Sequence, residues 1–262
     1  MDRIRTFSFI GSGRLTYLLL VGLKRQFALP HKILVSDPDA KHLQKVAKIM
    51  PDRIQSVKNN REATDADLIF LAVHPQVVKE VRAEIQSALK PEAMVISFIP
   101  TVTILQLSNL LNGFNRIVRM IPNAPSIIGK GYNPVYYSEF LSADDRVLLK
   151  QLFMHWGESP EVPEKDLEAY AMITGMGPTY FWFQVDELCK LAQSFGLTEK
   201  EAKGGLSKMI TGTAETFTES GLKYEELRDL IPSKPLKDVE EKIRNIYQTT
   251  LAPLYKKLKK AR

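Results

Sequence analysis

The sequence predicts an α/β protein: a doubly wound, mostly parallel sheet followed by a second, all-helical domain. Three observations predict it. Up to residue 121, short apolar runs alternate with helix-length amphipathic segments, the pattern of right-handed crossovers between parallel strands. From about Asp166 onward the chain reads as nearly all helix. The 262 residues, 44% hydrophobic and 25% charged, suffice for one large domain or two modest ones around a real core.

In chain order, residues 4–10 (IRTFSFI) read as the first strand and 13–25 as the helix after it. Residues 32–36 give a strand and 39–50 a helix. A short strand at 53–57 precedes a fully apolar one at 67–73, and Pro75 opens a helix over 75–89. Residues 93–99, 103–111 and 115–121 read as strand, helix and strand, and 143–156 as a helix. The boundary falls at Pro160–Pro163, giving a dinucleotide-binding domain over 1–160 and a helical domain over 161–262. Breaks within the latter are expected at Gly175–Pro178, near Gly196 and Gly221, and at Pro232–Pro235. Residues 178–195 are apolar on most of the helix circumference, which predicts burial against another subunit.

Composition removes several function classes. Cys189 is the only cysteine, so no intramolecular disulfide forms, and its helical context predicts a buried, inert thiol in a reducing compartment. His31, His42, His74 and His155 lack metal-ligand spacing, so no metal is expected. No apolar run reaches membrane-spanning length, and the first strand starts too early for a leader, which points to the cytoplasm. The net charge of +6 is mild, and much of it lies in the last seven residues, KKLKKAR. Without interleaved aromatics that tail predicts a solvated face, not a nucleic-acid or membrane surface.

Chemistry concentrates at four places. Gly11-Ser12-Gly13 follows a strand and opens a helix, the context in which glycines admit a pyrophosphate and helix amides bind it. Thr16 stands where a third glycine is usual, so a plain structural turn remains the alternative. Asp37, at the end of the second strand, is placed to accept from adenine-ribose hydroxyls, which argues for NAD over NADP. Lys41 and Arg14 could offset its repulsion of a 2′-phosphate, and a helix cap is the alternative role for Asp37. Ala72-Val73-His74-Pro75 brings small residues to the carboxyl edge of the sheet, with His74 a polar wall and no acid–base worker. Asn123, bracketed by prolines, offers a donor and an acceptor at a rigid site.

Taken together, FIGSGRL, ADLIFLAVHPQVVKEV, VISFIPTVTILQL, RIVRMIPNAPSIIGKG and the run from ITGMGPTY to GLTEKEA resemble the pyrroline-5-carboxylate reductase family, in its order and spacing, over about residues 4 to 230. The resemblance implies a Rossmann domain followed by helices that interleave with a partner's in a homodimer. It implies reduction of 1-pyrroline-5-carboxylate to L-proline, in proline biosynthesis, with NADH or NADPH. Gly11, Ser12, Gly13, Arg14 and Leu15 would hold the pyrophosphate, and Ser36 and Asp37 the adenosine. Asn59 and Ala72 to Pro75 would flank the adenosine and ribose, and residues 99–103 and Asn123 would lie near the nicotinamide.

The chain departs from the family where the imino acid should be held. The family's Ser-Pro-Gly-Gly-Thr-Thr stretch is here PSKPLKD, with Pro235-Leu236 in place of the paired glycines and Asp238 in place of a threonine. Ser233 alone survives, and Pro235 has no N–H to donate. Lys234 or Lys237 could anchor the carboxylate by charge, with Asp238 favouring an iminium. A different imine or carbonyl substrate, or a non-catalytic cofactor-binding protein acting as sensor or scaffold, are the alternatives. The plainest reading is a helix start capped by Ser233, with the lysines in solvent.

Overall fold

The computed structural model describes residues 5–25 and 30–260; Ile4 of the predicted first strand and the last two residues of the basic tail lie outside them. The alternating half contains β1 (Thr6–Ile10), α1 (Arg14–Lys24), β2 (Lys32–Ser36), α2 (Ala40–Ala47), β3 (Ile54–Ser56), α3 (Asn60–Ala63), β4 (Leu68–Leu71), α4 (Val78–Ile85), β5 (Met94–Ser97), α5 (Ile104–Leu110) and β6 (Ile117–Met120). Five parallel pairings order these strands β3-β2-β1-β4-β5-β6, so the strand order reverses between β1 and β4. That reversal opens a crevice at the carboxyl ends of the strands, where ligands of open α/β sheets bind.

Both sheet faces are buried, as a parallel sheet requires. Phe7, Phe9, Phe70 and Ile96 point to one face, where Leu19, Leu20 and Leu23 of α1 cover them. Ile69, Leu71, Val95 and Ile117 point to the other, against Val78, Val81 and Ile85 of α4 and Leu107 of α5. The Phe9 and Phe70 rings stack at 4.5 Å, and Trp156 meets Phe70 edge-on at 5.9 Å. The Trp156 indole N–H donates to Leu19 O at 2.8 Å, so its polar edge is satisfied inside the core.

After β6 come β7 (Gly131–Tyr132), β8 (Val135–Tyr137), α6 (Ala143–Phe153), β9 (Gly157–Glu158) and α7 (Leu167–Tyr170). β8 adds an antiparallel edge to β6, and β7 pairs with β9 in a small sheet of its own. These short strands carry no apolar alternation long enough to predict.

The chain divides into two compact units, Met1–Met176 with Tyr255–Arg262, and Gly177–Leu254. The sequence set its division earlier, at 160/161. The proline-rich stretch does not leave the sheet there: Val162 N donates to Val135 O at 2.9 Å, and Leu167 and Ala171 pack with Ile121. The expected break at Gly175–Pro178 is instead a wide helical turn over Ala171–Gly175 that runs into α8 (Gly177–Ser194). Pro178 falls in the first turn of α8, where its missing N–H costs nothing.

The second unit holds α8, α9 (Glu199–Glu219), α10 (Tyr224–Asp229) and most of α11 (Lys237–Lys260). Gly196 (φ 102°) and Gly221 (φ 72°) turn the chain at the predicted breaks. Cys189 is buried, as expected. Within one chain Phe181, Trp182 and Phe183 of α8, and Phe195 just past its end, are 55–80% exposed, the surface a subunit contact of the expected kind would cover. Lys256 to Lys260 of the basic tail belong to α11, where exposed lysines complement the helix dipole. Among the described residues no helix is long and apolar enough to cross a membrane, and no cluster could hold a metal ion.

Candidate functional site

The crevice is built from a turn that only glycine can make. Gly11 ends β1 at φ 95°, and a Cβ on it would stand 2.5 Å from the carbonyl oxygen of Ala72. Gly11 N donates to Ser36 O and Ala72 N to Ile10 O, each at 2.8 Å, which locks the loop between the ends of β2 and β4. Gly13 faces the open side, where a Cβ would meet nothing within 4 Å. No side chain caps α1, so its leading amides keep their partial positive charge for an anion. The Ser12 hydroxyl is buried with no partner among the described residues.

Thr16 has a structural job. Its buried hydroxyl donates to Gly11 O at 2.5 Å and ties the first turn of α1 back onto the loop. A close backbone approach of α1 occurs at Gly22 instead, where a Cβ would stand 2.5 Å from Ser126 O.

A cleft of about 640 Å³ opens beside the loop, and Gly11, Gly13, Ser36, Asp37, Asn59, Ala72, Val73 and His74 line it. Arg14 is exposed, Ser12 is buried and Leu15 packs against the core; these three, Pro75 and Asn123 are not among its walls. The Ser12 N–H is already engaged: it donates to Asp37 Oδ2 at 2.6 Å, and Asp39 N donates to Asp37 Oδ1 at 2.8 Å. The helix-cap alternative for Asp37 is thereby corrected. α2 starts at Ala40, so Asp39 is its cap, accepting from Lys41 N, and that bond holds the Asp39 carboxyl below its ordinary range. His74 lines the cleft and caps the next turn through Nδ1.

Asn59 caps α3, accepting from Glu62 N at 2.9 Å. Its neighbour Asn60, not singled out in the sequence, also lines the cleft. Asn60 Oδ1 accepts from the Ser36 hydroxyl at 2.7 Å, and its amide groups donate to Glu84 at 3.1 and 3.2 Å. The resemblance pointed to Asn59 alone, and both asparagines line the cleft.

The ends of β5 and β6 complete the carboxyl edge. Asn123 is 8% exposed, and the expectation that its amide stands available is corrected. Its Oδ1 accepts from Tyr132 N at 3.1 Å and its Nδ2 donates to Thr174 O at 3.2 Å, so the fold uses both ends. On β6 Arg119, 1% exposed, donates to Pro100 O at 2.6 Å, Glu164 at 3.0 Å and Glu168 at 3.2 Å. This buried cation fastens the loop after β5 to the segment after β9, a role the sequence did not announce.

In the second unit Ser233, Lys234, Lys237 and Asp238 are all exposed. Lys234 and Lys237 line a groove of about 540 Å³ with Tyr224, Pro235, Leu236 and Arg244, among others; Ser233 and Asp238 are not among its walls. Lys234 Nζ lies 3.9 Å from Asp229, and Lys237 lies at the start of α11. Ser233 is four positions ahead of α11, too far to cap it, which corrects that alternative. Glu240 in the same groove is taken up by Arg244 and Tyr224, at 3.0 Å each.

Residues 6–100 match a family model described as NADP oxidoreductase coenzyme F420-dependent, and residues 164–235 match one for pyrroline-5-carboxylate reductase dimerisation. Pyrroline-5-carboxylate reductase of Pseudomonas aeruginosa is 29% identical over 86% of this chain and 83% of its own length. The Escherichia coli enzyme is 26% identical over 87% and 85%. A solved pyrroline carboxylate reductase from Plasmodium falciparum with NADP bound superposes with a TM-score of 0.84 at 22% identity, over 100% of this chain and 99% of that one. A Coxiella burnetii pyrroline-5-carboxylate reductase gives a TM-score of 0.69 at 25% identity, over 99% and 96%.

Proposed function

We propose that this chain, a divergent member of the pyrroline-5-carboxylate reductase family, is an NAD(P)H-dependent reductase that delivers a hydride to the C=N bond of a cyclic imino acid, converting 1-pyrroline-5-carboxylate to L-proline. The observation that carries the reading is the left-handed Gly11 turn, locked between β2 and β4 at the reversal of strand order, with Asp37 bonded to the same loop and lining the same cleft. When bound, the reduced nicotinamide supplies the hydride.

The chain's own residues bind and orient. Gly11, Gly13 and the leading amides of α1 take the pyrophosphate, while Ser36, Asp37, Asn59 and Asn60 take the adenosine and its ribose. Ala72 to His74 lead from there toward the ends of β5 and β6, which frame the nicotinamide half. Asn123 supports that half by holding Tyr132 and Thr174 in place, and Arg119 by holding Pro100. Lys234 and Lys237 anchor the substrate carboxylate by charge where relatives use backbone amides. Asp238, next along the chain, favours the protonated ring nitrogen that accepts hydride more readily.

The protein assembles as a homodimer through α8 and α9, whose exposed aromatic side chains exceed what a solitary chain leaves in water. The replaced glycine-threonine stretch favours one second reading, a protein that binds dinucleotide and turns nothing over. Cofactor oxidation measured with a panel of cyclic imines and ketones, using NADH and NADPH in turn, separates the two. The proposal expects oxidation dependent on the five-membered imino acid. Dinucleotide binding without turnover on any panel member selects the second reading.

A further inference from the structure

We propose that the cleft selects NAD(H) against NADP(H), with Asp37 as the selecting residue, an inference that rests on the reading of the cleft as a dinucleotide site. Asp37 is not a mobile surface carboxylate. Its two oxygens are held by two backbone amides, Ser12 N at 2.6 Å and Asp39 N at 2.8 Å, and it lines the cleft where the adenine ribose belongs.

A carboxylate has about four lone-pair positions, so each oxygen keeps one for a vicinal ribose hydroxyl. The 2′-oxygen of NAD carries a hydrogen to donate; the phosphorylated 2′-oxygen of NADP carries none and brings two further negative charges. Asp37 therefore gains a bond with one cofactor and faces like charge with the other.

The surrounding walls reinforce the choice. Asp39, Glu80 and Glu84 line the same cleft, and its basic side chains are Lys58, His42 and His74. His42 Nδ1 lies 3.9 Å from Asp37 and 3.7 Å from Asp39, so it sits against those carboxylates. Glu84 is fixed by the Asn60 amides, and Asn60 in turn by Ser36, the neighbour of Asp37. Arg14 and Lys41 are not among the walls and are exposed. One structural relative holds NADP, so the inference distinguishes this chain from it.

Isothermal calorimetry on the full chain with NAD⁺ and NADP⁺ tests the inference without reference to turnover. NAD⁺ is expected to bind about tenfold tighter or more, the scale of one poorly screened charge contact. The gap should narrow as salt is raised. Asp37→Ser should move the ratio toward NADP⁺ by about the same factor. Asp39→Asn, which keeps the cap oxygen for Lys41 N, should lower the ratio a few-fold and serves if Asp37→Ser does not fold. NADP⁺ bound as tightly as NAD⁺ overturns the inference and leaves the reductase reading standing. So does an equal loss of both in Asp37→Ser, which would make Asp37 only the holder of Ser12. Binding of neither dinucleotide to the wild-type protein overturns both.

Discussion

Gly11 and Gly13 sit two residues apart, yet substitution at each should fail differently. At Gly11 a methyl group forces a left-handed backbone on an L-residue, costing about 1–2 kcal/mol. It also stands 2.5 Å from Ala72 O and 3.1 Å from Val73 Cγ1, so the end of β4 must move. Overpacking of that kind costs about 1–3 kcal/mol. Gly11→Ala should therefore lose about 2–5 kcal/mol, a large share of the ~5–15 kcal/mol that holds a domain. Gly13 has extended backbone and open space, so Gly13→Ala should lose only about 0.5–1 kcal/mol, that of a poorer helix cap. Its methyl group projects toward the cleft, however, and should weaken dinucleotide binding about tenfold or more. Urea unfolding followed by tryptophan emission suits the test, because Trp156 is buried in the sheet unit and Trp182 is exposed. A Gly11→Ala protein within about 0.5 kcal/mol of wild type, or a Gly13→Ala protein equally destabilised, would refute the reasoning.

Three further outcomes follow from the same structure. Arg119→Met takes the guanidinium away from Glu164, Glu168 and Pro100, so about 3–5 kcal/mol should be lost, measurable as a fall in urea midpoint; a near-neutral variant would show the network idle. Burial holds the His155 imidazole below its ordinary value, so the unfolded chain binds more protons once pH falls below about 6.5. Stability should thus be full above that pH and decline below it, toward the lower folded value. His155→Gln should flatten the decline, and an unchanged slope in the variant would count against the assignment. Phe183→Asp places a charge on the exposed face of α8 and should convert the dimer to monomer in light scattering, without unfolding the sheet unit; a dimer that survives places the interface elsewhere.

The sheet was legible because each central strand is an apolar run long enough to bury both faces. β8 is only three residues, and Pro134 and Tyr136 hide it; β7 and β9 are two residues each, below what periodicity can register. The unit boundary moved because Val162 keeps pairing with Val135, a contact 27 positions apart that composition does not encode. In the site, Gly11 and Asp37 could be read because a glycine turn after a strand and a carboxylate at the end of the next have local signatures. Asn60 escaped because its partners, Ser36 and Glu84, are each 24 residues away. Asn123 was read as available because Thr174, which takes its amide, lies 51 residues later. Long-range pairing decides which polar groups remain for a ligand.

The most direct test of the account is the transfer of label. Reduced cofactor deuterated at nicotinamide C4, prepared separately on each face, is mixed with 1-pyrroline-5-carboxylate and the wild-type protein, and the products are read by mass spectrometry. The account predicts proline carrying one deuterium from one of the two labelled cofactors, in step with cofactor oxidation and strongly reduced in Gly13→Ala. Cofactor that binds while no deuterated proline forms from either label would contradict it.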